Sequence, residues 1–152
     1  MTLPSSGIPQ SKDALVGTWK LVSASTTTEK GEVKDAFSRN PAGLLTYTAD
    51  GRMIGIITNG GRKPLSVSDN VWAPADERAE AFATVVAYGG RYTRTGDRVI
   101  HHVEVASIQN WVNTDVIRSI VSLQTDRLIL RTPPLTSGGV QVTFELIWER
   151  LK

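Results

Sequence analysis

Apolar and polar residues alternate along most of this chain, and such alternation is typical of half-buried β-strands. In the segment ALVGTWKLVSAS, at residues 14–25, Trp19, Leu21 and Ser23 alternate with Lys20 and Val22. Seven further segments have strand patterns, and turn residues such as Asp-Gly separate several of them. They are GLLTYTA (43–49), RMIGIIT (52–58), GRYTRT (90–95), RVIHHVEVA (98–106), VIRSIVSLQ (116–124), RLILRT (127–132) and VQVTFELIWERL (140–151).

The period changes in one segment, PADERAEAFATVVAYGG, at residues 74–90. Pro74 and the acidic residues that follow suit the first turn of a helix, and Gly89 and Gly90 are expected to end it. Apolar residues recur at helical spacing at Ala79, Phe82, Ala83 and Val86. We therefore expect one amphipathic helix of about three to four turns whose apolar side covers a flank of the sheet.

Eight strands joined mainly by tight turns, with one mid-chain helix, predict a mainly β protein. An antiparallel sheet of this size tends to close, because closure removes exposed edges. We expect an eight-stranded antiparallel β-barrel formed by residues 13–152 as a single domain. Residues 1–12, which are rich in Ser, Pro and Gly without periodicity, are expected to form a flexible arm.

Several motifs resemble those of a known family. The Gly-x-Trp of GTWKLVS resembles the lipocalin signature, in which the Trp closes the base of the barrel and a late-strand Arg packs on its ring. Arg150 in ELIWERL is the expected partner of Trp19. With NPAGLLTYTADGRM, YGGRY and VIHHVEVASIQNW in order over about residues 14–150, the chain is similar to the lipocalin-like domain family. The resemblance implies a lipocalin-like barrel with room for one small ligand.

Composition narrows the possible functions. The 152-residue chain has no Cys, only two His and a net charge of +2 without a basic run, so we expect no metal site, no cofactor and no nucleic-acid partner. Arg91, Arg94 and Arg98 flank the turn RTGDR and are interpreted as a solvated hairpin tip. No apolar run is long enough for a membrane span, and the first residues do not resemble a leader peptide, so a cytoplasmic location is expected.

The two histidines are adjacent on one predicted strand, so their side chains point to opposite faces. Val99, Val103 and Val105 share the face of His101, and this more apolar face is assigned to the interior. His101 is therefore the candidate for proton transfer, although a buried histidine with only structural hydrogen bonds is an equally good interpretation. His102 is expected outside, on the same face as Glu104.

Other side chains complete the candidate site. Arg118 lies in the mainly apolar segment VIRSI and faces either solvent or the interior, where it could hold a carboxylate or enolate oxygen. Tyr92 could polarise the same oxygen. Aromatic residues and a loop amide are the candidates for an apolar ligand site; they are Tyr47, Trp72, Tyr88, Asn110, Trp111 and Phe144.

Two functions fit this pattern, and the oligomeric state is left open. The leading hypothesis is a barrel that binds one hydrophobic small molecule. The alternative is a cofactor-free isomerase, cyclase or dehydratase acting on a polyketide-like or terpenoid-like substrate in the same cavity, with His101, Arg118 and Tyr92 as catalytic groups.

Overall fold

The computed structural model describes residues 13–152 and forms a closed antiparallel barrel. Its strands are β1 (Gly17–Thr28), β2 (Val33–Asp35), β3 (Ala42–Tyr47), β4 (Arg52–Thr58), β5 (Val85–Thr95), β6 (Arg98–Ala106), β7 (Asp115–Leu123), β8 (Arg127–Arg131), β9 (Leu135–Ser137) and β10 (Val140–Arg150). A helix, α1, spans Ala75–Ala83, and a 3-10 turn spans Gln109–Trp111. The expected arm at residues 1–12 lies outside the described residues.

Eight of these strands make the barrel, as the sequence predicted. Neighbours pair in the order β1, β3, β4, β5, β6, β7, β8 and β10, and the sheet closes because β10 pairs with β1 from Trp19↔Arg150 to Thr28↔Val142. The sequence pattern did not predict the two short strands, β2 and β9. At one end of the barrel, β2 pairs antiparallel with β1, and β9 pairs antiparallel with β10.

The other end of the barrel is closed by the expected pair. The Arg150 guanidinium lies 4.1 Å from the centre of the Trp19 ring, and the Trp19 indole N–H donates to the Leu15 carbonyl at 2.9 Å. Arg150 also donates to the backbone carbonyls of residues 14, 16 and 125. Gly17 is required beside it, because its φ is +139° and a Cβ would lie 2.5 Å from Arg150 Nη1. This contact explains the glycine of the Gly-x-Trp motif.

A β-bulge in β6 changes one predicted side-chain direction. Gly89 pairs with Val105 and Gly90 with Val103, which leaves Glu104 as the extra residue. Up to Val103 the expected alternation is confirmed, with Val99, His101 and Val103 buried. Beyond the bulge it reverses, so the expectation that Val105 faces inward was wrong, and Val105 is exposed.

The helix begins where the sequence predicted but is shorter and less buried. It follows Pro74, carries acidic residues in its first turn, and ends at Ala83 without burying any residue; Phe82 is 52% exposed. Val86 belongs instead to β5, because the β-branched Val85 and Val86 pair with Thr58 and Ile57 of β4. The expected covering of the sheet by α1 is therefore wrong. Over residues 13–152, no helix is both long and apolar enough to cross a membrane.

Gly89 and Gly90, expected to end the helix, lie inside β5. A Cβ at Gly90 would come within 2.0 Å of the His102 carbonyl oxygen, so the bulge brings the two backbones too close for any side chain. The turn between β5 and β6 has Gly96 with φ +60° at its tip, and the expected hairpin at RTGDR is confirmed.

Candidate binding cavity

The interior holds a cavity of about 430 Å³ at the end of the barrel away from Trp19. Its lining is mainly apolar, with Asn59, Thr132, Thr136 and Ser137 as polar additions. Such a volume lies within the range of small-molecule sites in proteins. The remaining lining residues are Phe37, Leu45, Gly55, Ile57, Val86, Tyr88, His101, Trp111, Arg118, Leu130, Leu135, Phe144, Leu146 and Trp148.

Both ring nitrogens of His101 are hydrogen-bonded to tyrosines. Tyr47 Oη lies 2.7 Å from Nε2, and Tyr88 Oη lies 2.8 Å from Nδ1. Adjacent strands bring Tyr88 of β5 and His101 of β6 together, whereas Tyr47 of β3 approaches only because the barrel closes. His101 and Tyr47 are each 1% exposed, and Tyr88 is partly buried at the cavity wall. The three side chains form one hydrogen-bonded chain that ends at the cavity.

Burial holds His101 in its neutral form. Burial lowers the pKa of His101 from its ordinary value of 6.5 to about 3, with a further contribution from the positive charge of Arg118. Burial likewise raises the pKa of Tyr47 well above its ordinary value of 10.0 and raises that of Tyr88. Near neutral pH the chain therefore consists of a neutral imidazole between two protonated phenols.

Arg118 faces the interior, which the sequence pattern left open. It stands opposite Val99 in the β6–β7 register, and one of its Nη atoms donates to the carbonyl of Ile117 at 2.9 Å. Its guanidinium lies close enough to Tyr88 to counteract the rise in the Tyr88 pKa. Among the described residues that line the cavity, Arg118 alone carries a charged side chain.

The structure brings together most of the residues that the sequence suggested for a site. Tyr88, His101, Trp111, Arg118 and Phe144 all line the cavity. The rings of Tyr88 and Trp111 pack edge to face with centres 5.5 Å apart. Tyr47 is buried behind His101 and makes no part of the cavity wall.

Besides Tyr47, three further suggested site residues lie outside the cavity. Tyr92 packs against Tyr47, and its hydroxyl donates to the Thr48 carbonyl at 2.8 Å, so it is not placed to polarise a bound oxygen. Trp72 is 83% exposed in the loop before α1. Asn110 is exposed in the 3-10 turn. His102 lies on the outer face as expected, and its Nδ1 is 2.7 Å from an Asp115 oxygen.

Some lining residues were not identified from the sequence. Trp148 shares the alternation of Phe144 and Leu146 along β10, so the same pattern could have indicated it. Phe37 carries no such signal: it lies in a polar connecting segment, has a left-handed backbone with φ 57°, and packs 6.1 Å from Phe144 between ring centres. Loop conformations of this kind do not follow from periodicity.

Stability should depend on pH through His101. Because its pKa falls to about 3 on folding, the unfolded chain binds more protons below pH 6.5, and the free energy of unfolding decreases as pH falls from 6.5 towards 3. This group alone contributes a slope of about 1.4 kcal/mol per pH unit in that window. Above pH 6.5 its contribution is constant.

Urea denaturation at several pH values between 4 and 7.5 measures this slope. The variant His101→Gln should have a shallower slope than the wild type, whereas His102→Gln, changed on the outer face, should keep more of it. Equal slopes in the wild type and His101→Gln would show that the buried imidazole is not held neutral.

The barrel, its Trp-Arg base and its apolar cavity define a lipocalin-like protein. Residues 16–151 match the lipocalin-like domain family, and the chain belongs to that family. It is 35% identical over 85 residues to the 4'-hydroxy-3'-methoxypropiophenone carrier protein of Aspergillus oryzae, a match covering 50% of this chain and 76% of that protein.

Two solved structures from Bacteroides are similar to this barrel. A lipocalin-like protein from Bacteroides uniformis has a TM-score of 0.48 and 12% identity, over 91% of this chain and 99% of that chain. An uncharacterised protein from Bacteroides eggerthii has a TM-score of 0.46 and 12% identity, over 90% and 99% of the two chains.

Proposed function

We propose that this protein binds one hydrophobic small molecule, an oxygen-bearing aromatic compound, in the barrel cavity. The cavity carries this proposal, because it combines a mainly apolar lining and about 430 Å³ of space with a polar end at Tyr88 and Arg118. The ring of Trp111 and that of Phe144 offer faces or edges against which an aromatic ring can pack. The name of the Aspergillus relative, a carrier of an aryl ketone, supports the same ligand class.

The state of His101 favours binding over proton transfer. A general base acts best with a pKa near the working pH, whereas His101 has a pKa of about 3 and both nitrogens engaged with tyrosines. Tyr92, the other suggested acid, is hydrogen-bonded to backbone outside the cavity. These contacts support a ligand-binding barrel over an isomerase, cyclase or dehydratase.

Isothermal titration calorimetry with 4'-hydroxy-3'-methoxypropiophenone tests this function. We expect one molecule bound per chain with a dissociation constant on the order of 10 µM, as suits a small ligand in a preformed apolar site. Chromatography of the mixture after incubation should recover the compound unchanged. If no binding isotherm is observed with ligand concentrations up to about 1 mM, the result would argue against this ligand class.

A further inference from the structure

The hydrogen-bonded chain Tyr47–His101–Tyr88 has a direction, because each of its two hydrogen bonds has one donor and one acceptor. A neutral imidazole has one nitrogen that donates and one that accepts. Tyr47 and Tyr88 occupy the two nitrogens at 2.7 and 2.8 Å. One tyrosine must therefore donate its proton to His101 while the other accepts the N–H of the ring.

Burial of Tyr47 decides between the two directions. Its hydroxyl is almost fully buried, and among the described residues it has no hydrogen-bond partner other than His101. If Tyr47 accepted from Nε2–H, its own proton would be buried without an acceptor, which is unfavourable. Tyr47 therefore donates to Nε2, and the ring proton is on Nδ1.

The Tyr88 oxygen then accepts from Nδ1–H, and the Tyr88 proton is left to be donated elsewhere. Tyr88 is at the cavity wall, so this proton is available to a ligand. The neighbouring Arg118 can only donate. Tyr88 and Arg118, the two groups at this polar end, therefore both present donors to a ligand.

We propose that the ligand is a carbonyl compound whose oxygen accepts a hydrogen bond from the Tyr88 hydroxyl beside Arg118, and that Tyr47 fixes this polarity through His101. This inference rests on the proposed binding function and specifies the chemistry of its ligand. Tyr88 contacts the ligand. Tyr47 does not, and it acts as a positioning residue by holding His101 in the tautomer with the proton on Nδ1.

The tautomer can be measured without any ligand. In the ¹⁵N NMR spectrum of histidine-labelled protein at pH 7, the proton-bearing nitrogen of His101 should be Nδ1. In Tyr47→Phe, Nε2 has no hydrogen-bond partner in either tautomer, so the preference for Nδ1 should weaken and part of the proton population should appear on Nε2. A wild-type spectrum with the proton on Nε2 would overturn the direction of the chain, whether or not Tyr47→Phe folds.

Ligand chemistry is tested with two compounds that differ only at the carbonyl. They are 4'-hydroxy-3'-methoxypropiophenone and 2-methoxy-4-propylphenol, in which a methylene replaces the ketone. Calorimetry should show that Tyr88→Phe weakens binding of the ketone about tenfold and changes binding of the methylene compound less than about twofold. Tyr92→Phe is the matched control, because its hydroxyl bonds to Thr48 outside the cavity, and it should leave both affinities within about twofold of the wild type.

Failure of this inference differs from failure of the proposed function. If neither compound binds the wild type, the proposed function fails. If both bind and Tyr88→Phe weakens them equally or not at all, the cavity binds small molecules but Tyr88 does not select a carbonyl oxygen.

Discussion

Replacing Trp19 with alanine should lower the free energy of unfolding by about 3–5 kcal/mol, the usual loss for a buried large aromatic residue. The side chain is 0% exposed and belongs to the main apolar core. Its removal also takes away the ring on which the Arg150 guanidinium stacks and the indole N–H bonded to the Leu15 carbonyl. The base of the barrel would then contain a cavity, and the Arg150 guanidinium would lose its cation–π contact.

Urea denaturation followed by far-UV circular dichroism measures this loss. Trp72→Ala is the matched control, because the same residue type is 83% exposed there and its removal should change stability by less than about 0.5 kcal/mol. A loss below about 1 kcal/mol for Trp19→Ala, or equal losses for the two variants, would mean that the Trp19–Arg150 pair does not support the barrel.

Filling the cavity should weaken ligand binding strongly while the barrel remains folded. Gly55 of β4 lines the cavity, and a Cβ there would meet only side-chain atoms, Leu45 Cδ1 at 3.4 Å and Met53 Cε at 3.9 Å. A phenyl ring at this position would occupy the ligand's space. For Gly55→Phe we expect the affinity for the aryl ketone to fall on the order of 100-fold, or about 2.7 kcal/mol.

The neighbouring residue supplies the control for this substitution. Ile54 points to the other side of β4 and is 67% exposed, so Ile54→Phe adds the same ring outside the barrel. It should bind the ketone within about twofold of the wild-type affinity. Undiminished binding by folded Gly55→Phe would place the binding site outside the cavity.

Local patterns in the sequence predict the barrel well. Alternation and turn residues predicted the eight strands, because these signals lie within single strands. The Trp19–Arg150 base, which joins the first and last strands, was expected only from the resemblance to the lipocalin signature. Alternation also gave the inward direction of His101. For Val105, however, alternation predicted the wrong side-chain direction, because the extra residue of a β-bulge reverses which face the following residues occupy. The bulge is visible only in the pairing of β6 with Gly89 and Gly90 of β5.

The site depends on contacts that local patterns do not contain. Tyr47 reaches His101 across 54 positions of sequence, and only the register of a closed barrel brings them together. The same register turns Arg118 inward, whereas a single Arg between Ile and Ser suits either face. The helical spacing of apolar residues up to Val86 was misleading, because Val86 pairs with β4 as part of a strand. The exposure of Trp72 could not be predicted, because the residues around it in the loop show no periodic pattern.

Binding in the cavity is the central claim, and the four tryptophans allow it to be tested in one experiment. In a ¹H–¹⁵N spectrum assigned with single Trp→Phe variants, addition of 4'-hydroxy-3'-methoxypropiophenone should shift the indole signals of Trp111 and Trp148, which line the cavity, in a saturable manner. The signal of the exposed Trp72 should not move. Saturable shifts at Trp72 with none at Trp111 and Trp148 would contradict binding inside the barrel.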